Sequence, residues 1–407
     1  MKLTMDGIQD RASWNKAGIT LPGYDVKAVS EKARKEPLWV HFGIGNIFRI
    51  FIGGIADGLL ESGALDRGIT CVETFDYDVV DKIYAPFDNL GLSVILHRDG
   101  RREYKVLGSM AEAIKAQASD PAHWARLKEV FTSPSLQLVS FTITEKKTYI
   151  APFVNAEKSQ YLVIEDHFPG GRPTLEKGFG VYLTDRNTVN LSERMKVTVC
   201  LNPVHSATGP LGVVLGYDLF AHMLNTNPDM MKMARMVAYD EGLPVVPDPG
   251  ILSPQAFVDE LFRDRFPNEY LGDTNLRLAV DVSQMLGIRF GETVKSYVAK
   301  YGDASRLTAI PLGIAGWLRY LLGVDDAGHP YELAPDPMKE ELTCQLKDIV
   351  VGDPSTFTDQ LRPILSNERL FFIDLYQAGI GEKIERMFRE MLAGPGAAGA
   401  TLHKYIM

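Results

Sequence analysis

Apolar and polar positions follow two rhythms along this chain. In the first half, short apolar runs of strand length are separated by turn residues. From Ser192 onward, apolar positions recur with the three- and four-residue spacing of helices. The first run, Leu38-Trp39-Val40-His41-Phe42, ends in Gly43-Ile44-Gly45-Asn46. It passes into Ile47-Phe48-Arg49-Ile50-Phe51-Ile52, which continues toward Leu59-Leu60. This order predicts a buried strand, a glycine turn and a helix, with Ser62-Gly63 closing the helix where a left-handed cap is wanted. Ile69-Thr70-Cys71-Val72-Glu73 reads as a second strand, so residues 38–73 have the size of a parallel β-α-β crossover. Strands are predicted at 92–96 and 104–107 around Asp99-Gly100, a helix at 121–131 and a strand at 136–143. Helices are predicted at 210–224, 228–240, 253–266, 276–286, 305–322 and 339–350, and Gly394-Pro395-Gly396-Ala397-Ala398-Gly399 reads as a loop. The fold class expected is an α/β domain over residues 1–190 followed by a mainly α-helical domain over 191–407.

Composition narrows the partners. With 43 Lys+Arg against 52 Asp+Glu the formal net charge is −9, which argues against a nucleic-acid polyanion as the main partner. No apolar run has the length of a membrane span, and the amino-terminal residues lack a signal-like apolar core, so a cytoplasmic location is expected. Cys71, Cys200 and Cys344 are scattered and odd in number, which fits neither a disulfide framework nor a zinc site.

Two groups of residues carry candidate chemistry. Gly43 and Gly45 permit a tight turn and close approach of backbone to a pyrophosphate, and the helix beyond them presents free amides. The third glycine of the usual dinucleotide fingerprint is absent, because position 48 is Phe; a plain strand-to-helix turn is the alternative. Glu73, closing the second strand, is placed to accept from a ribose 2′-hydroxyl and to repel a 2′-phosphate, which favours NAD; Asp76 and Asp78 compete for that role. Arg49 either reaches a phosphate or pairs with an acid. The second group is Lys196, Asn202 and His205. Asn202 and His205 share a helix face, and Lys196 stands in a largely apolar stretch. Burial disfavours an ammonium and turns a lysine toward a general base, while an amide and an imidazole steady an oxygen that becomes anionic. A surface lysine beside a core histidine is the plainer reading of the same spacing.

At these residues the chain resembles the polyol-specific long-chain dehydrogenase family, which includes mannitol 2-dehydrogenase, mannitol-1-phosphate 5-dehydrogenase and the fructuronate and tagaturonate reductases. His41-Phe42-Gly43-Ile44-Gly45-Asn46 with Arg49 is similar to the family's nucleotide turn, and Phe141-Thr142-Ile143-Thr144-Glu145-Lys146 to its Thr-Ile-Thr-Glu strand end. Further matching blocks are Val163-Ile164-Glu165-Asp166-His167-Phe168, Arg265-Phe266-Pro267-Asn268, Arg277-Leu278-Ala279 with Asp281 and Ser283-Gln284, and Ala315-Gly316-Trp317-Leu318-Arg319-Tyr320. The resemblance implies a Rossmann-type N-terminal domain, a helical C-terminal domain and a cleft between them. It also implies metal-free, nicotinamide-dependent chemistry. By motif, Gly43, Gly45, Asn46, Arg49 and Glu73 fall to the cofactor, and Lys196 is the base. Asn202 and His205 hold the reacting oxygen, Glu193 and Glu145 help pass the proton to water, and Arg277 is a candidate for substrate binding.

Three departures from the family pattern bear on this reading. Six positions separate Lys196 from Asn202 where the family usually has five, and Pro203 follows. A π-type bulge between Val197 and Asn202 would absorb the extra residue; otherwise Lys196 is not the base. Met285 stands where the family often has a lysine after the Ser-Gln pair. A long stretch that family members carry after the Thr-Ile-Thr-Glu strand has no counterpart after Lys146, so the nucleotide domain is expected to be shortened, and the step from Lys146 to Lys147 to be no ordinary continuation. The expected function is interconversion of a linear polyol or aldonate with its ketose or ketouronate, of the mannitol/fructose or mannonate/fructuronate type, with NAD. The alternative is a non-catalytic nucleotide- or sugar-binding relative that lost activity with its middle segment.

Overall fold

The computed structural model describes residues 1–142, 153–156 and 161–407. Ten strands among the described residues are numbered in chain order: β1 (Ile19–Thr20), β2 (Trp39–Phe42), β3 (Ile69–Glu73), β4 (Gly91–Leu96), β5 (Arg102–Leu107), β6 (Met110–Lys115), β7 (Leu138–Phe141), β8 (Phe153–Ala156), β9 (Leu162–Glu165) and β10 (Val181–Thr184). The chain divides into two compact units, Met1–Arg186 and Asn187–Met407.

The first unit is built on a four-stranded parallel sheet in the order β6-β3-β2-β7. Alternation along its strands feeds two cores. Trp39, Ile69 and Cys71 meet Ile55, Ala56, Leu59 and Leu60 of the helix Gly53–Glu61 on one face. On the other face Val40, Val72 and Ile114 meet Val130 of the helix Pro121–Thr132. A parallel sheet covered on both faces explains why its strands read as continuous apolar runs. The predicted β-α-β unit is therefore present, with β2 and β3 in register at Val40–Thr70 and Phe42–Val72. The turn at Asp99-Gly100 joins β4 and β5 as an antiparallel hairpin inside a second sheet, β1-β5-β4-β8. The predicted strand at 136–143 is the shorter β7; position 143 and the Lys146–Lys147 step lie outside the described residues.

The second unit is helical, as expected. Its central helix, Ala309–Tyr320, is buried at every position and packs against the almost wholly buried helix Asn202–Val214. A carboxylate caps the central helix: Glu241, buried, accepts from the amides of Thr308, Ala309 (2.7 Å) and Ile310 (2.8 Å), where a negative charge meets the helix dipole. Arg319 closes the other end. It is fully buried and donates to the carbonyls of Val324 (2.5 Å) and Asp325 (3.1 Å), so the Ala315–Tyr320 motif is a packing element.

Three predicted boundaries are corrected. Pro210, read as the start of a helix over 210–224, lies inside Asn202–Val214, and a separate helix, Phe220–Thr226, follows. A proline inside a helix loses one amide bond; here burial along nearly the whole helix outweighs that loss. The helix predicted at 276–286 is broken at Asp281, whose φ of 55° is left-handed, into Asn275–Leu278 and Val282–Leu286. The loop read at 394–399 ends sooner, because the helix Ala397–Ile406 begins within it.

Candidate active site

The glycine turn leaves β2 under tight constraint. Gly43 has φ +83°, and a Cβ built there would lie 2.2 Å from the Thr142 carbonyl oxygen, so no other residue fits. Its amide donates to Val72 O (3.0 Å), and the amide of Arg49 donates to Gly45 O (3.1 Å) as the helix begins. That first helical stretch, Phe48–Ile52, is a wide π turn leading into Gly53–Glu61. Phe48 stacks on His41 with ring centres 4.3 Å apart. His41 is fully buried, held at Nδ1 by Ser140 Oγ (2.7 Å) and at Nε2 by Thr142 Oγ1 (2.8 Å); burial pushes its imidazole down to about 4. It is a neutral strut that ties β2 to β7.

Glu73 is buried at the end of β3. One carboxylate oxygen accepts from the amides of Thr74 (2.9 Å), Phe75 (3.0 Å) and Asp76 (3.3 Å), and the other accepts from Ile44 N–H in the glycine turn (3.4 Å). The two predicted cofactor elements therefore touch, and a ribose hydroxyl would share acceptors already engaged by backbone. Arg49 is buried, and its guanidinium donates to Asn46 Oδ1 (2.5 Å). The turn, Asn46, Arg49 and Glu73 thus form one local assembly.

In the second unit the expected bulge is present. Arg194–Cys200 is a π-helical stretch between Arg186–Glu193 and Asn202–Val214, and Leu201 N–H donates to the Lys196 carbonyl five residues back (3.1 Å). The wider turn takes up an additional residue, so six positions span what five span in an α-helix. Lys196 is half-buried, and burial lowers its ammonium below the ordinary lysine range. Asn202 opens the next helix and is half-buried, while Glu193 is exposed at the end of the preceding one. Glu145 lies outside the described residues.

His205 is buried, edge-on to Phe220 (4.9 Å) and Phe266 (5.4 Å). Burial pushes its imidazole down to about 4; Arg289 reinforces that shift and Asp273 opposes it. It lines a small recess with Arg265, Phe266, Asn268 and Asp273. Arg277 stands at the edge of this group, 63% exposed, paired with Asp273 at 3.2 Å; the same carboxylate lies 4.0 Å from Arg265. Lys196, Asn202 and His205 thus follow one another along a single helical path, and Arg277 joins through Asp273.

Sequence reasoning missed Arg289 and Ser206. Arg289 sits in a second wide turn, Gly287–Gly291, which packs against Arg194–Cys200. Gly291 allows that packing: a Cβ there would fall 1.8 Å from the Phe371 carbonyl oxygen. Arg289 Nη1 donates to Ser206 Oγ at 2.6 Å. The sequence signal was slight, an arginine between two glycines just after the Ser-Gln pair.

Known proteins resemble this chain in sequence and in fold. The model of the mannitol dehydrogenase C-terminal domain matches residues 189–392. A D-mannonate oxidoreductase of Thermotoga maritima is 37% identical, with the match covering 100% of this chain and 99% of that protein. Its 537 aligned positions exceed the 407 residues of this chain by 130, so much of the relative has no counterpart here. A D-mannonate oxidoreductase of Escherichia coli K12 is 31% identical over 61% of this chain, and the match spans 51% of that relative. Among solved structures, Pseudomonas fluorescens mannitol 2-dehydrogenase, in ternary complex with NAD and D-mannitol, superposes with a TM-score of 0.72. The overlap covers 99% of each chain, and at 19% identity the likeness is one of fold.

Proposed function

Because this chain belongs to the mannitol dehydrogenase family of oxidoreductases, we propose that it transfers a hydride between NAD and a linear polyol or aldonate, with Lys196 as general base. The observation that carries this reading is the π turn. It places a half-buried lysine with a lowered ammonium pKa directly ahead of Asn202 and His205. The glycine turn between Trp39–Phe42 and the helical stretch Phe48–Ile52 has the strand-turn-helix order that receives a dinucleotide pyrophosphate. A nicotinamide held there would supply the hydride acceptor for oxidation of the carbinol carbon to a carbonyl. Lys196 Nζ takes the hydroxyl proton, and Asn202 and His205, the latter neutral at physiological pH, hydrogen-bond the oxygen. Glu193, exposed three residues before Lys196, is the nearest route in sequence for that proton to water.

Glu73 favours NAD over NADP, because a carboxylate closing β3 disfavours a 2′-phosphate. Steady-state comparison of the two cofactors tests this, and an NADP preference of about tenfold or more overturns the role of Glu73. The 130 positions missing relative to the Thermotoga relative favour one second reading, a binding protein without turnover. Titration with NADH, followed by nicotinamide fluorescence, separates the two: binding without oxidation of any polyol or aldonate supports the second.

A further inference from the structure

Arg289 is paired differently from the arginines Arg194, Arg265 and Arg277. Arg265 and Arg277 lie beside Asp273, and Arg194 lies 3.3 Å from Glu292. Arg289 has no carboxylate within ion-pair range among the described residues. Its guanidinium donates to a neutral hydroxyl, Ser206 Oγ at 2.6 Å, and its Nε is buried with no hydrogen-bond partner among the described residues. Burial alone pushes its guanidinium down to about 10, with no acidic neighbour to offset the cost. A desolvated cation without a counter-ion is costly in a folded protein unless a ligand supplies the charge. Arg289 is also close enough to His205 to disfavour protonation of that imidazole, and Ser206 adjoins His205 on the same buried helix. The unmatched charge therefore acts electrostatically on the group proposed to hold the reacting oxygen, and its hydroxyl partner is the next residue in the same helix.

We propose that Arg289, positioned by Ser206, anchors the carboxylate of the substrate, so that the chain selects an aldonate or ketouronate over a neutral polyol. The inference rests on the dehydrogenase reading above and adds the substrate class. A planar guanidinium matches a carboxylate with two parallel hydrogen bonds and cannot lose its charge at working pH. The anchor also accounts for Met285: a chain that holds its anion from the Gly287–Gly291 turn does not need a lysine after Ser283-Gln284.

The test compares D-mannonate, D-mannitol and D-mannitol 1-phosphate as substrates for the wild-type chain, Arg289→Gln, Arg289→Lys and Ser206→Ala. Wild type should prefer D-mannonate. Arg289→Gln should lower the mannonate-to-mannitol ratio of kcat/KM by about 20- to 100-fold, mostly through KM, the range expected for a lost charged hydrogen bond. Arg289→Lys should recover part of that ratio, and Ser206→Ala should lower it less. A preference for D-mannitol, or a ratio unchanged in Arg289→Gln, overturns the anchor while leaving the dehydrogenase reading intact. A preference for the phosphate ester overturns the carboxylate assignment. If no substrate is turned over, the dehydrogenase reading fails, and calorimetric titration of D-mannonate decides the anchor. Binding to wild type that is lost in Arg289→Gln supports it; equal binding to both, or none to wild type, overturns it.

Discussion

An ammonium cannot accept a proton, so a lysine base works only in its neutral fraction. Burial lowers the pKa of Lys196 and enlarges that fraction. Alcohol oxidation should rise with pH along a one-proton limb and ketone reduction should fall along the same limb. Lys196→Ala should erase both limbs and lower turnover by at least about 100-fold, measured by steady-state pH profiles. Near-normal turnover with an unchanged profile would move the search to another base. The two buried histidines make a separate prediction about stability. His41 and His205 both have imidazoles pushed from 6.5 to about 4. The unfolded chain then binds protons before the folded one, so stability is complete above pH 6.5 and declines as pH falls toward 4. The loss is at most about 3 kcal/mol per histidine. Denaturant midpoints across that window should show the fall, and His41→Gln should flatten it for the first unit. At this scale motif and spacing made Lys196, Asn202 and His205 candidates. Arg289 stayed hidden because a missing counter-ion is a property of neighbours in space.

Elements set how these candidate residues are presented. The six-residue spacing from Lys196 to Asn202 was legible as a problem in the sequence, and the π turn resolves it: the Leu201 amide reaches Lys196 O, not Val197 O. The glycine turn is the equivalent device in the first unit. Gly43→Ala would force a side chain into left-handed backbone against the Thr142 carbonyl, so thermal unfolding of the first unit should show a loss of about 2 kcal/mol or more. Gly63→Ala, also at positive φ but with open space around its Cβ, should cost less and serves as the comparison. Helix ends were the least legible features. Pro210 read as a beginning and is an interior residue, and Asp281 breaks a pattern whose apolar period runs straight through it.

For the molecule as a whole, the second unit carries its own core. The helices Asn202–Val214 and Ala309–Tyr320 bury each other's flanks, Glu241 caps the latter, and the matched family domain begins at residue 189. Residues 187–407 expressed alone should therefore fold, giving a helical circular dichroism spectrum and a cooperative melt; an unstructured product would show that this core depends on the first unit. No helix among the described residues is long and apolar enough to cross a membrane.

The sequence by itself determined the order of elements and the change from a sheet-based to a helical unit, because apolar period is a local property of the chain. It also offered candidate motifs for the chemistry, and the family they suggested is the one that the comparisons show. Only tertiary structure decided what each polar group faces. Glu73 is enclosed by amides from its own loop and from the glycine turn, His41 is locked between two hydroxyls of β7 and the residue after it, and Arg289 is left with a hydroxyl where its neighbours have carboxylates. These facts depend on contacts between residues as many as 101 positions apart, such as His41 and Thr142. Burial and charge pairing act through space, and spacing along the chain does not record them.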